Sequence, residues 1–472
     1  MIGNRRKVHI AHIVSLSILA WVALCCHADA VTAGQPPLPQ GLTYHLPNGV
    51  SVTTVRVGAV PKVEISVGLY FASIRDERCW RKTLANVFSK RIERDSDIFE
   101  RLGGYPSISQ GDGWLSISLD TLSPFGSRAV LAISGVLTAR DSLQKLNFDF
   151  HAVNGQRWDA DNPYVEAMSQ VAAILNSQGT KEACPSLERA DLEEEKFESF
   201  VKLALRPANL HVFVVGEFSR SEIRRAITVS LGRPTWYPRH LVPLTPAESG
   251  MAAVSVGHPK LPSGVWFVDR PESSVATVYM AAPIPDFRSV ENAQMEVASA
   301  MLGGEHQSII TDALRRQFGF SYSPMGSVTV IGGHPVWLEA FDVPSDKLST
   351  AVTVVFGAIK AFEATPIPGS KLNEAKSFCI ALYRRHDRSR QNMVSNLRFA
   401  SNYGEPLGIL QDHINAVENV DASSVQTVMN HYISRRKFIV VVVGDKRKVQ
   451  SQLVSVGDLN GFGQVNGSIS PR

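Results

Sequence analysis

The feature that most constrains this chain is that it repeats itself. Leu46-Pro47-Asn48-Gly49 is a turn that feeds Val50, Val52 and Val55, which read as a strand. Leu261-Pro262-Ser263-Gly264 gives the same turn 215 residues later and again feeds a strand. Val212 to Val215, closed by Gly216-Glu217, is matched by Phe438 to Val443, closed by Gly444-Asp445; the two glycines are 228 residues apart. A helical stretch follows each. Echoes at this separation imply two copies of one folding unit. Six prolines fall between Arg233 and Pro262, a composition suited to a linker. The reading is therefore a unit at 42–235, a linker at 236–260, a second unit at 261–456 and a flexible tail at 457–472 rich in Gly, Asn and Ser.

Periodicity inside the units mixes both element types. Glu64 to Phe71 alternates, with Ile65, Val67, Leu69 and Phe71 on one face and Glu64, Ser66, Gly68 and Tyr70 on the other. Leu84, Val87, Phe88 and Ile92 form a helical stripe; Ser96 fits the start of the next helix, which Gly103-Gly104 ends. Leu115, Ile117 and Leu119 alternate again, and a helix from Asn162-Pro163 runs to Leu175. Strands, then helices, then strands predict an α+β fold with largely antiparallel sheets.

The start of the chain reads as a leader. Arg5, Arg6 and Lys7 precede an apolar run from Ile13 to Leu24, and Ala28-Asp29-Ala30 supplies the small residues of a cleavage site. Residues 1–30 are thus expected to be a secretory signal peptide, too short for a stable transmembrane span, on an exported protein. Beyond it remain Cys79, Cys184 and Cys379, whose spacing fits one disulfide and a thiol or three buried thiols equally well. No C-x-x-C or Cys/His pattern suggests a metal cluster. The net charge of +4 falls by two when the leader is removed, a balance that favours neither nucleic acid nor a membrane surface.

One stretch carries candidate chemistry. Ile309, Ile310, Ala313, Leu314 and Phe318 recur at helical spacing, Gly319 sits where a left-handed residue ends a helix, and the chain leaves through Phe320 and Tyr322 toward a strand. Arg315 then lies in the last helical turns and Tyr322 just past the turn. A guanidinium fork and a phenol directed to one point form donors for a peptide carbonyl or a developing oxyanion. Taken alone, the same residues also fit an Arg favoured by a helix C-terminus and a half-buried strand Tyr.

With these features in order, the chain resembles the insulinase-like zinc peptidases, the family of pitrilysin and mitochondrial processing peptidase. The likeness rests on the Leu-Pro-Asn-Gly opening, Leu102-Gly103-Gly104 before an alternating strand, Arg206-Pro207-x-Asn209 with its strand and Gly216-Glu217, the duplication, and Arg315 with Tyr322 seven residues on. It implies two homologous α/β-sandwich-like units that form half of a clam-shell. The family's H-x-x-E-H motif is missing. Its positions fall on Asn86, Ser89 and Lys90, and the second acidic ligand falls near Gly155. Asn is a poor zinc ligand, Ser is no base near neutrality, and Lys90 would put a cation where Zn²⁺ belongs.

The resemblance therefore implies a chain without catalytic or metal residues of its own and without a cofactor. Arg315 and Tyr322 would bind peptide substrate for a homologous, zinc-bearing partner subunit in a periplasmic heterodimer. The alternative it leaves is a purely structural or peptide-binding pseudopeptidase.

Overall fold

A computed structural model of the protein describes residues 41–58, 60–71, 77–111, 113–139, 162–176, 190–232, 263–386, 389–402, 408–433, 438–459 and 465–469. The leader, the linker at 236–260, Gly155 and Cys184 lie outside the described residues.

The first half begins with β1 (Leu42–His45). At the turn after it, Leu46 N–H donates to Val50 O at 2.8 Å and Gly49 N–H to Leu46 O at 2.9 Å. Gly49 has φ +96°, a left-handed conformation that glycine adopts without steric cost. β2 (Ser51–Arg56) and β3 (Lys62–Tyr70) follow, then α1 (Glu77–Arg94) and α2 (Ser96–Arg101). α1 buries Leu84, Val87, Phe88 and Ile92, the stripe its spacing predicts. β4 (Ser107–Gly111), β5 (Trp114–Leu122), α3 (Gly126–Thr138), α4 (Pro163–Asn176), α5 (Ala190–Ala204), β6 (Leu210–Gly216) and α6 (Arg220–Ser230) complete this half. Its sheet has the order β1-β2-β6-β3-β5-β4 and is parallel only between β2 and β6.

The second half repeats the pattern. β7 (Gly264–Asp269), β8 (Val275–Pro283), α7 (Val290–Ser299), α8 (Ile309–Thr311), β9 (Met325–Ile331) and β10 (His334–Pro344) come first. Then come α9 (Leu348–Ala364), α10 (Gly369–His386), α11 (Arg390–Asn402), α12 (Ile409–Glu418), α13 (Ala422–Tyr432), β11 (Ile439–Gly444), α14 (Lys446–Leu459) and β12 (Val465–Ile469). The sheet order is β12-β7-β11-β8-β10-β9. It is antiparallel from β11 to β9 and parallel at β12–β7 and β7–β11. Five strands correspond one to one between the halves. The sixth has a different origin in each: β1 precedes its neighbour in the first, whereas in the second the chain end supplies β12. Residues 465–469, expected within a flexible tail, thus pair with β7, whose open edge offers unpaired backbone groups.

Each sheet is covered on both faces, and one cover comes from the other half. Met393, Val394 and Leu397 of α11 pack on Val55, Tyr70, Phe213 and Val215 of the first sheet. Ala167, Val171, Ile174 and Leu175 of α4 pack on Tyr279, Ala281, Ile439 and Val441 of the second. β3 is consequently buried along both faces, although its alternation of polar and apolar residues reads as a half-solvated strand. Polar groups on that face find partners across the halves. Arg398 Nη1 donates to Ser116 Oγ at 2.6 Å and its guanidinium lies 4.2 Å from the Trp114 ring centroid. Among the described residues no single helix is long and apolar enough to cross a membrane.

Candidate functional site

The Arg315–Tyr322 stretch is shaped by a change of helix type. α7 runs into a π-helical turn at Ala300–Gly304, and α8 continues into a second at Asp312–Gln317. Such turns close i→i+5 hydrogen bonds, here Phe318 N–H to Ala313 O at 3.1 Å. A regular helix would leave Phe318 on the buried stripe of Ile310 and Leu314. The wider turn swings it out, and it is 50% exposed. Gly319 reverses the chain at φ +64°, and Phe320 N–H returns to Leu314 O at 2.8 Å, one residue further back than in the usual glycine-terminated helix, as the wider turn requires.

The turn brings the two sequence-predicted residues together. The Arg315 guanidinium carbon lies 4.7 Å from the centroid of the Tyr322 ring, within cation–π range. Tyr322 is 79% exposed and Arg315 is exposed beside it. The neighbouring Arg316 pairs with Asp312, which also accepts from Gln317 Nε2 at 3.0 Å. Asp312 is thereby occupied, and its carboxyl is held below the usual range by the Gln317 hydrogen bond and then by Arg316. Arg315 has no carboxylate partner among the described residues, so its N–H donors remain available to a ligand. Exposed Phe318 and Met325 flank the pair and give the surface an apolar component.

Behind the pair, β9 begins against a buried acid. Glu339 on β10 is opposite Gly326 in register, is fully buried, and neither carboxylate oxygen has a hydrogen-bond partner among the described residues. Burial raises its proton affinity well above that of an ordinary carboxyl. Gly303 and Gly326 lie so close to it that neither position has room for a Cβ.

The degenerate positions on α1 do not fit a zinc ion. Asn86 Nδ2 is buried with no acceptor, Ser89 is half-buried, and Lys90 turns to solvent, where its ammonium pairs with Glu93 at 2.9 Å. An amide, a hydroxyl and an ammonium provide neither the anionic or imidazole ligands nor the base that the motif supplies. Among the described residues no three His, Cys, Asp or Glu side chains converge to share a metal. Cys379 is a free, buried thiol, pushed well up by burial and next by the Glu296 and Glu305 carboxylates.

One cluster has no counterpart in the sequence reading. Glu296 on α7 accepts from Tyr383 on α10 and meets His413 on α12, residues 87 and 117 positions away. No local motif could have signalled it. Glu339 left a faint trace, as the one charged residue between Val336 and Phe341 in an otherwise apolar run.

Comparisons agree with the resemblance. Residues 191–378, which include Arg315 and Tyr322, match the family model of the Peptidase M16 inactive domain. The fold is shared with a peptidase M16 inactive domain from Pseudomonas fluorescens (TM-score 0.67, 18% identity, 86% of this chain and 98% of that one). It is also shared with the periplasmic protease PqqL from Escherichia coli (TM-score 0.60, 14% identity, 87% of this chain and 46% of that one). A local likeness joins 118 residues, 24% of the chain, to uracil-DNA glycosylases of Mycobacterium bovis and Mycobacterium tuberculosis at 34% identity. The chain spans 44% of the length of those curated relatives. Over residues 191–378 the chain is thus similar to the inactive class of M16 domain, and its fold is that of the two structures named.

Proposed function

From a chain that resembles the insulinase-like (M16) peptidases and matches their inactive domain, we propose that this protein is the substrate-contacting, non-catalytic subunit of an exported peptidase heterodimer. Its partner is a homologous chain that carries H-x-x-E-H and the zinc. The two chains close as halves of a clam-shell around a peptide, in the periplasm.

The observation that carries this reading is the stack of Arg315 on Tyr322. An exposed guanidinium without a carboxylate partner is ready to donate two parallel hydrogen bonds to backbone carbonyls. Lying on the Tyr322 ring, it also limits the orientations of the phenol, whose O–H can donate to the negative oxygen that develops on a scissile carbonyl. The chain's own residues hold and polarise the peptide; Asn86, Ser89 and Lys90 take no part. Export is supported by the leader-like sequence at 1–30, and periplasmic placement also by the description of PqqL as a periplasmic protease.

The test is purification of the full chain from its native source, followed by kinetics of the complex. A co-purifying homologue with H-x-x-E-H is expected. Tyr322→Phe deletes one preorganised donor and keeps the ring, so kcat should fall by about 10²–10³ with assembly unchanged by size-exclusion chromatography. Arg315→Ala should raise KM as well as lower kcat, because it removes a positioning contact. Wild-type turnover by an assembled Tyr322→Phe complex would reject the donor role and leave a structural or peptide-binding pseudopeptidase.

A further inference from the structure

A cavity of ≈ 440 Å³ lies where α7, β9 and the helices α10 to α12 meet, away from the Arg315–Tyr322 stack in its lining residues. Its volume is in the range of small-ligand sites. Phe287 and Phe399 supply aromatic wall, their rings edge to face at 4.8 Å, and Val328, Val330 and Leu410 supply aliphatic wall. Among the described lining residues Glu296 alone carries a charge.

The Glu296 carboxylate is built into place. Tyr383 donates its phenol to Oε2 at 3.1 Å, and His413 Nε2 lies 2.6 Å from the same oxygen. Phe287 stacks on the buried His413 ring at 4.4 Å and fixes the imidazole in turn. Burial and the adjacent carboxylate push the Tyr383 phenol well up, so it stays a neutral donor. Both donors converge on Oε2, while Oε1 has no donor among the described residues. A carboxylate of this kind, oriented by two groups and sharing the cavity with an aromatic wall, favours a cation that can hydrogen-bond to Oε1 and rest against that wall.

We propose that this cavity is a binding site for an organic monocation with an apolar arm, an alkylammonium or alkylguanidinium group, held by Glu296 against the wall that Phe287 and Phe399 form together. The arm lies along the aliphatic wall at β9. Such a group comes either on a basic side chain of a peptide or as a free amine. The site requires no partner chain and neither Arg315 nor Tyr322, so it stands or falls separately from the subunit role.

The experiment is isothermal titration calorimetry on the full mature chain alone. The probes are a blocked hexapeptide with one arginine among alanines, the same peptide with citrulline in its place, and hexylammonium chloride. The arginine peptide is expected to bind at least 10-fold more tightly than its neutral isostere, and Glu296→Gln should abolish that difference. Phe399→Leu should weaken the arginine peptide several-fold while keeping the preference for charge. It provides the reading if Glu296→Gln fails to fold, as judged by its thermal melt. Tighter binding of the peptide than of hexylammonium identifies a basic side chain as the ligand, and equal binding identifies a free amine. Equal affinity for the arginine and citrulline peptides, or an undiminished preference in folded Glu296→Gln, overturns the proposal.

Discussion

At the scale of single residues, Glu64 shows how much a side chain's chemistry depends on what covers it. It lies on the polar face of β3, directly across from Asp120 on β5. α11 closes over that face, and Arg390 grips Asp120 with Nε to Oδ1 at 2.9 Å and Nη2 to Oδ2 at 3.2 Å. Glu64 is 4% exposed. Burial first and Asp120 second raise its carboxyl to about 7, against a smaller opposing effect of Arg390. A raised folded value means that the native state holds a proton that the unfolded chain releases above the ordinary carboxylate range. Stability attributable to Glu64 is therefore full below about pH 4.5, declines as pH rises, and is lost above about pH 7. Glu64→Gln imitates the protonated form. It should be nearly neutral at pH 4.5 and stabilising by on the order of 1–3 kcal/mol at pH 8, as read from urea unfolding at both pH values. An equal effect at the two pH values would contradict a buried, protonated Glu64. Sequence spacing marked Arg315 and Tyr322 because they straddle a single turn. It left Glu64 on a nominally outward face and could not mark Glu296, Tyr383 and His413, because the contacts that define them come from distant elements.

At the scale of elements, the strands and amphipathic helices of the first half were legible because hydrophobic period and turn chemistry agree. Leu84, Val87, Phe88 and Ile92 are buried as their spacing demands, and Gly49, Gly103 and Gly319 all have positive φ at chain reversals. Two things were not legible. A π-helical turn has no signature in composition, so helical spacing puts Phe318 in line with Ile310 and Leu314, on a buried stripe that it leaves. The covering of β3's polar face has no local signature either, because period-two alternation reports what a strand's own residues are, and not that a helix more than 300 positions later lies over them. α11 is therefore structural rather than ornamental to the first sheet. Leu397 is 7% exposed and packs among Met393, Phe213 and Val215. Leu397→Ala should cost about 2–5 kcal/mol, the range for a buried leucine that leaves a cavity. Val454→Ala on α14, a site 59% exposed, should stay within about 0.5 kcal/mol. Urea unfolding of the two variants gives the comparison, and similar small effects would mean that α11 rests only loosely on the first sheet.

At the scale of the molecule, the exchange of helices changes what the duplication means. Two repeated units joined by a linker suggest bodies that could come apart. The described residues instead form an interlocked pair, with α4 from the first half on the second sheet and α11 from the second half on the first. Four buried apolar side chains on α4 and three on α11 lie in these exchanged contacts. At about 1.5–3 kcal/mol for each of the six side chains larger than Ala167, their combined contribution is roughly 9–18 kcal/mol, comparable to the net stability of a typical domain. Tyr164 on α4 also hydrogen-bonds Asp342 on β10, and Arg390 on α11 grips Asp120 on β5, so polar groups fix the register of both exchanges. A covalent link through 233–262 is then unnecessary for association. Residues 41–232 and 263–472, expressed together as separate chains with a tag on one, should co-purify in equal amounts and melt in one transition. Either fragment expressed alone would leave one face of its sheet bare and present its lent helix to water, and should be found in aggregates. Recovery of each fragment as a soluble, well-folded monomer with no affinity for the other would show that the halves are independent bodies, and that the exchanged helices contribute little to holding them together.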